Sequence, residues 1–282
     1  MPGNTVRIIP RLDIKGPDLV KGIHLEGLRV LGDPEAFAQY YYEEGADELF
    51  YMDVVASLFG RNSLSDIISK TAKNIFIPLT VGGGIRTLAD IQKVLHAGAD
   101  RVCINTAAIK NPQLIHDASL QFGASTLVVA IEAVKQPDGQ YLAFIDNGRE
   151  FTGVEVMAWA KKVEALGAGE IILTSVDREG TGEGFDIDLI RTVSASLGIP
   201  VIAHGGAGSQ SDIEQALKAG ASGVAVGSIL HYDFVQKNKS AAKAEGNTEF
   251  LNSARSFKKI NPTTIKNIKT HLKESGVECR IT

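Results

Sequence analysis

Ile77-Pro78-Leu79-Thr80-Val81-Gly82-Gly83-Gly84 returns 122 residues later as Ile199-Pro200-Val201-Ile202-Ala203-His204-Gly205-Gly206. Each copy is a short, β-branched apolar run that ends in glycines. Each is followed at the same offset by Asp-Ile (Asp90-Ile91, Asp212-Ile213) and Ala-Gly-Ala (Ala97-Gly98-Ala99, Ala219-Gly220-Ala221). Upstream, Gly45-Ala46-Asp47-Glu48 maps onto Gly167-Ala168-Gly169-Glu170 at the same spacing. A repeat that spans more than one strand–helix unit is the mark of a duplicated half-domain.

Working outward from this repeat, eight strand-like runs stand near residues 6–13, 48–54, 76–81, 101–104, 126–131, 170–174, 200–203 and 223–226. Between them lie segments with apolar residues at i, i+3 and i+4, such as 34–44, 88–97, 153–166 and 212–219, which is helical spacing. Strand and helix in alternation predict a parallel sheet. Two four-unit halves predict an α/β fold of the closed (β/α)8 TIM-barrel type rather than an open sheet. The 282 residues fit one such barrel domain, 1–282. A polar, Lys-, Asn- and Ser-rich stretch at 233–261 breaks the rhythm as an inserted segment before a last helix at 262–274.

With 44% hydrophobic and 22% charged residues, the chain has material for a large core, which excludes global disorder. Its net charge of −4 offers no excess of cations to displace counterions from a nucleic acid, so no nucleic acid partner is expected. Residues 233–282 hold ten Lys plus Arg against five Asp plus Glu, leaving the remainder near −9, a pattern read as a solvated surface insertion. Two distant cysteines, Cys103 and Cys279, make neither a disulfide framework nor a thiolate metal site. The amino terminus lacks an apolar leader and no apolar run approaches a membrane span, so a cytoplasmic protein without membrane contact is expected.

In a barrel of this kind the chemistry belongs where strands end. Gly82-Gly83-Gly84 and Gly205-Gly206 would let backbone N–H groups approach an anion with no Cβ in the way. Asn105-Thr106 and Gly227-Ser228, again 122 apart, add amide and hydroxyl donors at helix starts. Two equivalent cradles suggest a substrate with a phosphate at each end. Acids also gather at strand ends: Asp13, Asp53, Glu132, and Asp177 with Glu179. Asp13 and Glu132 suit acid–base work from opposite sides of a substrate. Asp53 is equally suited to capping. No His-x-x-x-His spacing and no Gly-x-Ser-x-Gly elbow occurs, so neither metal nor cofactor nor serine nucleophile is expected. His204, just before Gly205-Gly206, is either a packing residue or a substrate contact.

Arg7-Ile8-Ile9-Pro10, Leu12-Asp13, Val20-Lys21-Gly22, Thr80-Val81-Gly82-Gly83-Gly84-Ile85-Arg86, Ile104-Asn105-Thr106-Ala107-Ala108 and Leu173-Thr174-Ser175 resemble the HisF family, the cyclase subunits of imidazole glycerol phosphate synthase. The resemblance runs from Arg7 to about His231 and resumes through Gly276-Val277-Glu278-Cys279-Arg280. It implies that ammonia from a HisH-type glutaminase partner converts a bisphosphorylated ribulosyl aminoimidazole carboxamide ribonucleotide to imidazole glycerol phosphate and aminoimidazole carboxamide ribonucleotide. Asp13 and Glu132 take the catalytic positions. Lys21 orders the loop after the first strand. Gly83, Gly84, Asn105, Thr106, Thr174, Asp177, Glu179, Gly180, Gly205, Gly206, Gly227 and Ser228 fall on substrate- and phosphate-binding positions. At the opposite end Arg7, Glu48, Arg101 and Glu170 correspond to a charged ring that gates ammonia.

Several residues depart from that pattern: Glu132 for Asp, Arg11 where cysteine is frequent, Glu179 for Asp, His204 for Ser, and Lys15-Gly16-Pro17-Asp18 in the first loop. With Gly22 to Gly32 they also resemble the WbuZ-type branch of HisF-like proteins. That resemblance implies an alternative: an ammonia-channelling subunit serving a sugar amidotransferase in surface-polysaccharide assembly, without cyclase activity. The half-barrel repeat also fits a HisA-type isomerase, which the ring and the Lys21 loop disfavour.

Overall fold

The computed structural model describes residues 5–56, 64–238 and 259–280. Eight parallel strands close into a barrel: β1 (Arg7–Lys15), β4 (Leu49–Asp53), β5 (Leu79–Gly82), β6 (Arg101–Ile104), β7 (Leu127–Lys135), β10 (Glu170–Ser175), β11 (Val201–His204) and β12 (Gly223–Val226). β10 pairs with both β7 and β11, and β12 returns to β1 with Arg7 opposite Gly223, so the ring of eight strands is closed. The eight strands expected from sequence are these eight.

Helices α1 (Pro34–Glu43), α2 (Ser65–Asn74), α3 (Leu88–His96), α4 (Thr106–Lys110), α5 (Gln113–Phe122), α6 (Val156–Ala165), α7 (Ile187–Ala195), α8 (Gln210–Lys218), α9 (Ser228–Lys237) and α10 (Ile265–Glu274) cover the outside. The period-two alternation sorts β1 in two directions. Ile8, Leu12 and Ile14 pack with helix residues such as Ile68, Ile91 and Val94. Ile9 instead packs with Phe50, Cys103, Val128, Ile172, Ile202 and Ala225, a cluster drawn from strands and loops without a helix residue. The first layer lies between sheet and helices, the second fills the barrel interior.

The duplication reaches into capping. Thr87 caps α3 and Ser209 caps α8, each in a reciprocal capping box, with Asp90 and Asp212 respectively. Two antiparallel hairpins add what the strand–helix reading omits. β2 (Asp18–Ile23) and β3 (Glu26–Gly32) extend β1, while β8 (Tyr141–Ile145) and β9 (Glu150–Glu155) extend β7. The helix expected from residue 153 consequently begins at Val156, because residues 150–155 pair as a strand. Of the inserted segment at 233–261, Asp233 to Lys237 continue α9, and residues 239–258 lie outside the described residues. Among the described residues no helix is long and apolar enough to cross a membrane.

Candidate functional site

A cavity of about 330 Å³ opens at the C-terminal ends of β4 to β7, lined by Asp53, Gly83, Gly84, Arg86, Asn105, Thr106, Lys110, Glu132, Asp146 and Asn147 among others. Gly83 has φ +98°, and a Cβ there would sit 2.3 Å from the Asp53 carbonyl oxygen, so only glycine holds the chain this close. Asn105, which precedes α4, has φ −131° and ψ −82°. Its repeat partner Gly227, before α9, has φ −120° and ψ −84°. The two helix entries thus share one backbone geometry. Among the described residues the buried Asn105 Oδ1 has no hydrogen-bond partner, an acceptor open to a ligand donor.

Glu132 forms part of this cavity wall and accepts a 2.8 Å hydrogen bond from the Gly148 N–H. Burial pushes its carboxyl up to about 7, although Gly148, the Arg11 charge and Asn105 favour the ionised form. Asp13 meets a different environment. Burial alone would raise its pKa, but Arg11 and Lys21 outweigh it and hold the carboxylate below its ordinary range. Arg11 Nε donates to Asp13 at 2.8 Å, and Lys21 Nζ stands 3.6 Å away. Two carboxyls at one end of one barrel are therefore set oppositely, one keeping its proton up to near neutral pH and one held ionised.

The second cradle is small, with a volume of about 20 Å³ bounded by Lys21, Glu179, Gly180, His204, Gly205, Gly206, Gly227 and Ser228. Lys21 is ion-paired to Glu179, whose other oxygen accepts from the Leu25 N–H at 2.9 Å. The tip of the first hairpin is thereby fastened to the β10 end. Gly206 has φ +111°, and a Cβ would lie 2.1 Å from the Gly184 carbonyl oxygen. The buried group Arg11, Asp13, Lys21, Glu179 and His204 carries two cations and two carboxylates, so its charges are compensated.

At the other end of the barrel four charges close a ring. Arg7 pairs with Glu48 at 3.0 Å and with Glu170, while Arg101 pairs with Glu170 at 2.7 Å and with Glu48 at 3.3 Å. Each lies two residues before an interior side chain (Ile9, Phe50, Cys103, Ile172), so period two turns all four toward the axis. Burial raises the Glu48 pKa, opposed by Arg101 and by the Thr80 hydroxyl, which donates to it.

The structure thus places Gly83, Gly84, Asn105, Thr106 and Glu132 around one cavity, and Lys21, Glu179, Gly180, Gly205, Gly206, Gly227 and Ser228 around the other. Asp13 lines neither; it is held in the ion cluster whose Lys21, Glu179 and His204 wall the second cavity. Thr174 contacts His204 at 3.0 Å. Asp177 stands apart, its exposed side chain accepting from the Lys135 N–H at 2.8 Å. Sequence reading did not anticipate Asp146, Asn147, Arg86 or Lys110 in the first cavity. The signal for the first two was present, since Asp146-Asn147-Gly148 is turn chemistry for a tight hairpin.

Fold and site together define a duplicated (β/α)8 barrel with paired glycine-lined cavities at one mouth and a closed charge ring at the other. The chain belongs to the histidine biosynthesis protein family, which matches residues 7–236, and within it to the HisF family. It is 57% identical to imidazole glycerol phosphate synthase subunit HisF of Legionella pneumophila over 205 residues, 73% of this chain and 97% of that protein. It is 45% identical over 232 residues to the subunit of the same name from Alkaliphilus metalliredigens (strain QYMF), 82% of this chain and 92% of the relative.

Proposed function

We propose that this protein is the ammonia-using cyclase subunit of imidazole glycerol phosphate synthase. Its substrate is a bisphosphorylated ribulosyl aminoimidazole carboxamide ribonucleotide, and its products are imidazole glycerol phosphate and aminoimidazole carboxamide ribonucleotide. The observation that carries this reading is the pair of cradles related by 122 residues at one barrel mouth. A substrate with phosphates at both ends is the ligand such a pair fits. In this reading Glu132, which keeps its proton in about half of the molecules at pH 7, is the acid. Asp13, held ionised by Arg11 and Lys21, is the base.

Ammonia comes from a HisH-type glutaminase docked at the ring end. There Phe76 and Leu120 are 78% and 74% exposed, and a second hollow is lined by Ile75, Phe76, Pro78 and Asp100. Large exposed apolar side chains beside a charged ring suit a protein interface. From the ring inward the barrel interior is packed with Ile9, Phe50, Val128, Ile172 and Ile202, an apolar layer that a neutral ammonia molecule crosses at less cost than an ammonium ion. Both named relatives are HisF subunits, which does not favour the polysaccharide alternative. The reaction takes place in the cytoplasm. Incubating purified protein with the bisphosphate substrate and ammonium salt tests the proposal: both products form without the glutaminase, and their absence would reject it.

A further inference from the structure

One edge of the His204 ring is fixed and the other is open. Nδ1 lies 3.2 Å from Arg11 Nη1 and 3.0 Å from Thr174 Oγ1, and these are the ring's hydrogen bonds among the described residues. A guanidinium has donors and no acceptor, so Nδ1 must offer its lone pair. The single proton of the neutral ring is then on Nε2. Arg11 is not free to rotate away, because it is buried and its Nε is bound to Asp13 at 2.8 Å. Burial, together with the Arg11 and Lys21 charges, keeps the imidazole neutral.

The open edge belongs to a site. His204 bounds the small second cavity with Gly205, Gly206, Gly227 and Ser228, whose side chain is buried there. An imidazole N–H, a serine hydroxyl and glycine backbone converge on one space, and each can donate to an oxygen anion. At the 122-residue offset the counterpart of His204 is Gly82, which has no side chain. The first cradle is therefore wide and lacks this donor, whereas the second is narrow and has it.

We propose that His204 is a specificity-determining residue: its Nε2–H, held in that tautomer by Arg11, donates to an oxygen of the phosphate taken by the second cradle and so distinguishes the two ends of the substrate. The inference rests on the bisphosphate reading given above. Arg11 acts through His204 and is a positioning residue. Since the space is now about 20 Å³, the phosphate enters as Lys21 turns from Glu179 toward it.

The test uses protein labelled with nitrogen-15 at histidine, with inorganic phosphate as the probe. Long-range proton–nitrogen correlation shows His204 as the Nε2–H tautomer from pH 5.5 to 8.5 on this proposal, and phosphate shifts its Nε2 signal saturably. His204→Ser weakens phosphate binding at the second cradle, followed through the Gly206 amide, by roughly tenfold, the worth of one hydrogen bond to an anion. His204→Gln, which keeps an N–H donor, recovers part of that loss. Arg11→Met gives mixed tautomers. An Nδ1–H tautomer in the unaltered protein, or undiminished binding in His204→Ser, overturns the proposal. The two readings fail separately. Phosphate moving the His204 signal in a protein that makes no product with ammonium salt refutes the cyclase reading alone. Full turnover by His204→Ser with unchanged KM refutes this inference alone.

Discussion

Glu132 accepts a hydrogen bond from the Gly148 N–H at 2.8 Å, which ties a strand-end carboxyl to the turn of the hairpin that strand β7 extends into. Despite that bond, burial raises its pKa from the ordinary 4.5 to about 7. Between those values the folded protein keeps a proton that the unfolded chain releases, so stability falls as pH rises through this window and levels off above it. The full effect is roughly 3 kcal/mol, and Glu132→Gln removes this contribution to the pH dependence in urea titrations run from pH 4 to 8. At a fixed concentration of free ammonia, turnover declines above about pH 7 as the acid is lost. Glu132→Gln lowers kcat by about 10² to 10⁴ and abolishes that decline.

Arg101 bridges Glu170 at 2.7 Å and Glu48 at 3.3 Å, and Arg7 contacts the same two acids. Removing one arginine leaves two buried carboxylates sharing the other. Arg101→Ala therefore destabilises the fold, on the order of 2 kcal/mol, less than breaking an isolated buried pair because Arg7 remains. Chemical denaturation reads this directly. If the ring serves the proposed glutaminase, the variant keeps its ammonium-driven rate and loses glutamine-driven rate in the presence of that partner. Equal loss in both assays would place the ring's effect on the fold alone.

His24 and Asp146 have the same φ of 52°, and Leu25 and Asn147 the same φ of 61°, again 122 residues apart. The repeat that decided the barrel from sequence also builds both hairpin turns, yet only one copy has residues that announce it. Asp-Asn-Gly suits two left-handed positions, whereas His-Leu does not. The first turn is held by tertiary contacts instead: His24 N–H to the Glu179 carbonyl and Leu25 N–H to its carboxylate, both at 2.9 Å. The barrel strands were legible because period-two apolar runs between glycines repeat; β6 and β12 span 101–104 and 223–226, the ranges read from sequence. The ion cluster was not, because Arg11, Asp13, Lys21, Glu179 and His204 come from separate segments and no local pattern shows that they meet. Leu25→Gly separates the two influences: it relieves backbone strain of about 1–2 kcal/mol but gives up a buried side chain of similar worth, so little net change in denaturation midpoint is expected.

Gly83 and Gly123 both have positive φ, +98° and +88°, but differ in surroundings. A Cβ at Gly83 meets the Asp53 carbonyl oxygen at 2.3 Å, whereas at Gly123 nothing lies within 4 Å. Gly123, at φ +88° and ψ 145°, holds a backbone conformation that suits only glycine, so Gly123→Ala costs only that backbone penalty, about 1–3 kcal/mol. Gly83→Ala adds a clash against backbone that must be relieved by moving the cradle. Measured side by side, Gly83→Ala shows the larger loss of stability and loses inorganic phosphate binding at the first cradle. Gly123→Ala keeps that binding.

His231 is fully buried between two fixed partners, the Arg11 carbonyl at 3.0 Å and the Tyr41 hydroxyl at 2.6 Å. A carbonyl only accepts, so Nε2 donates to Arg11 and Nδ1 receives the tyrosine proton. The pair fixes the backbone of the residue whose side chain holds Asp13 and His204. Burial and the nearby Lys21 charge depress the His231 pKa from 6.5 to about 3. Below pH 6.5 the unfolded chain gains a proton that the folded protein refuses, so His231 draws stability down as pH falls from about 6.5 to about 3. Tyr41→Phe leaves a buried Nδ1 without its donor, at a cost of roughly 1–3 kcal/mol. His231→Leu strands the Arg11 carbonyl as well and lowers stability at pH 7, but it removes this contribution to the acid slope. Urea midpoints of the three proteins at pH 7 and pH 5 check both effects; an acid slope unchanged in His231→Leu would show that other groups account for it.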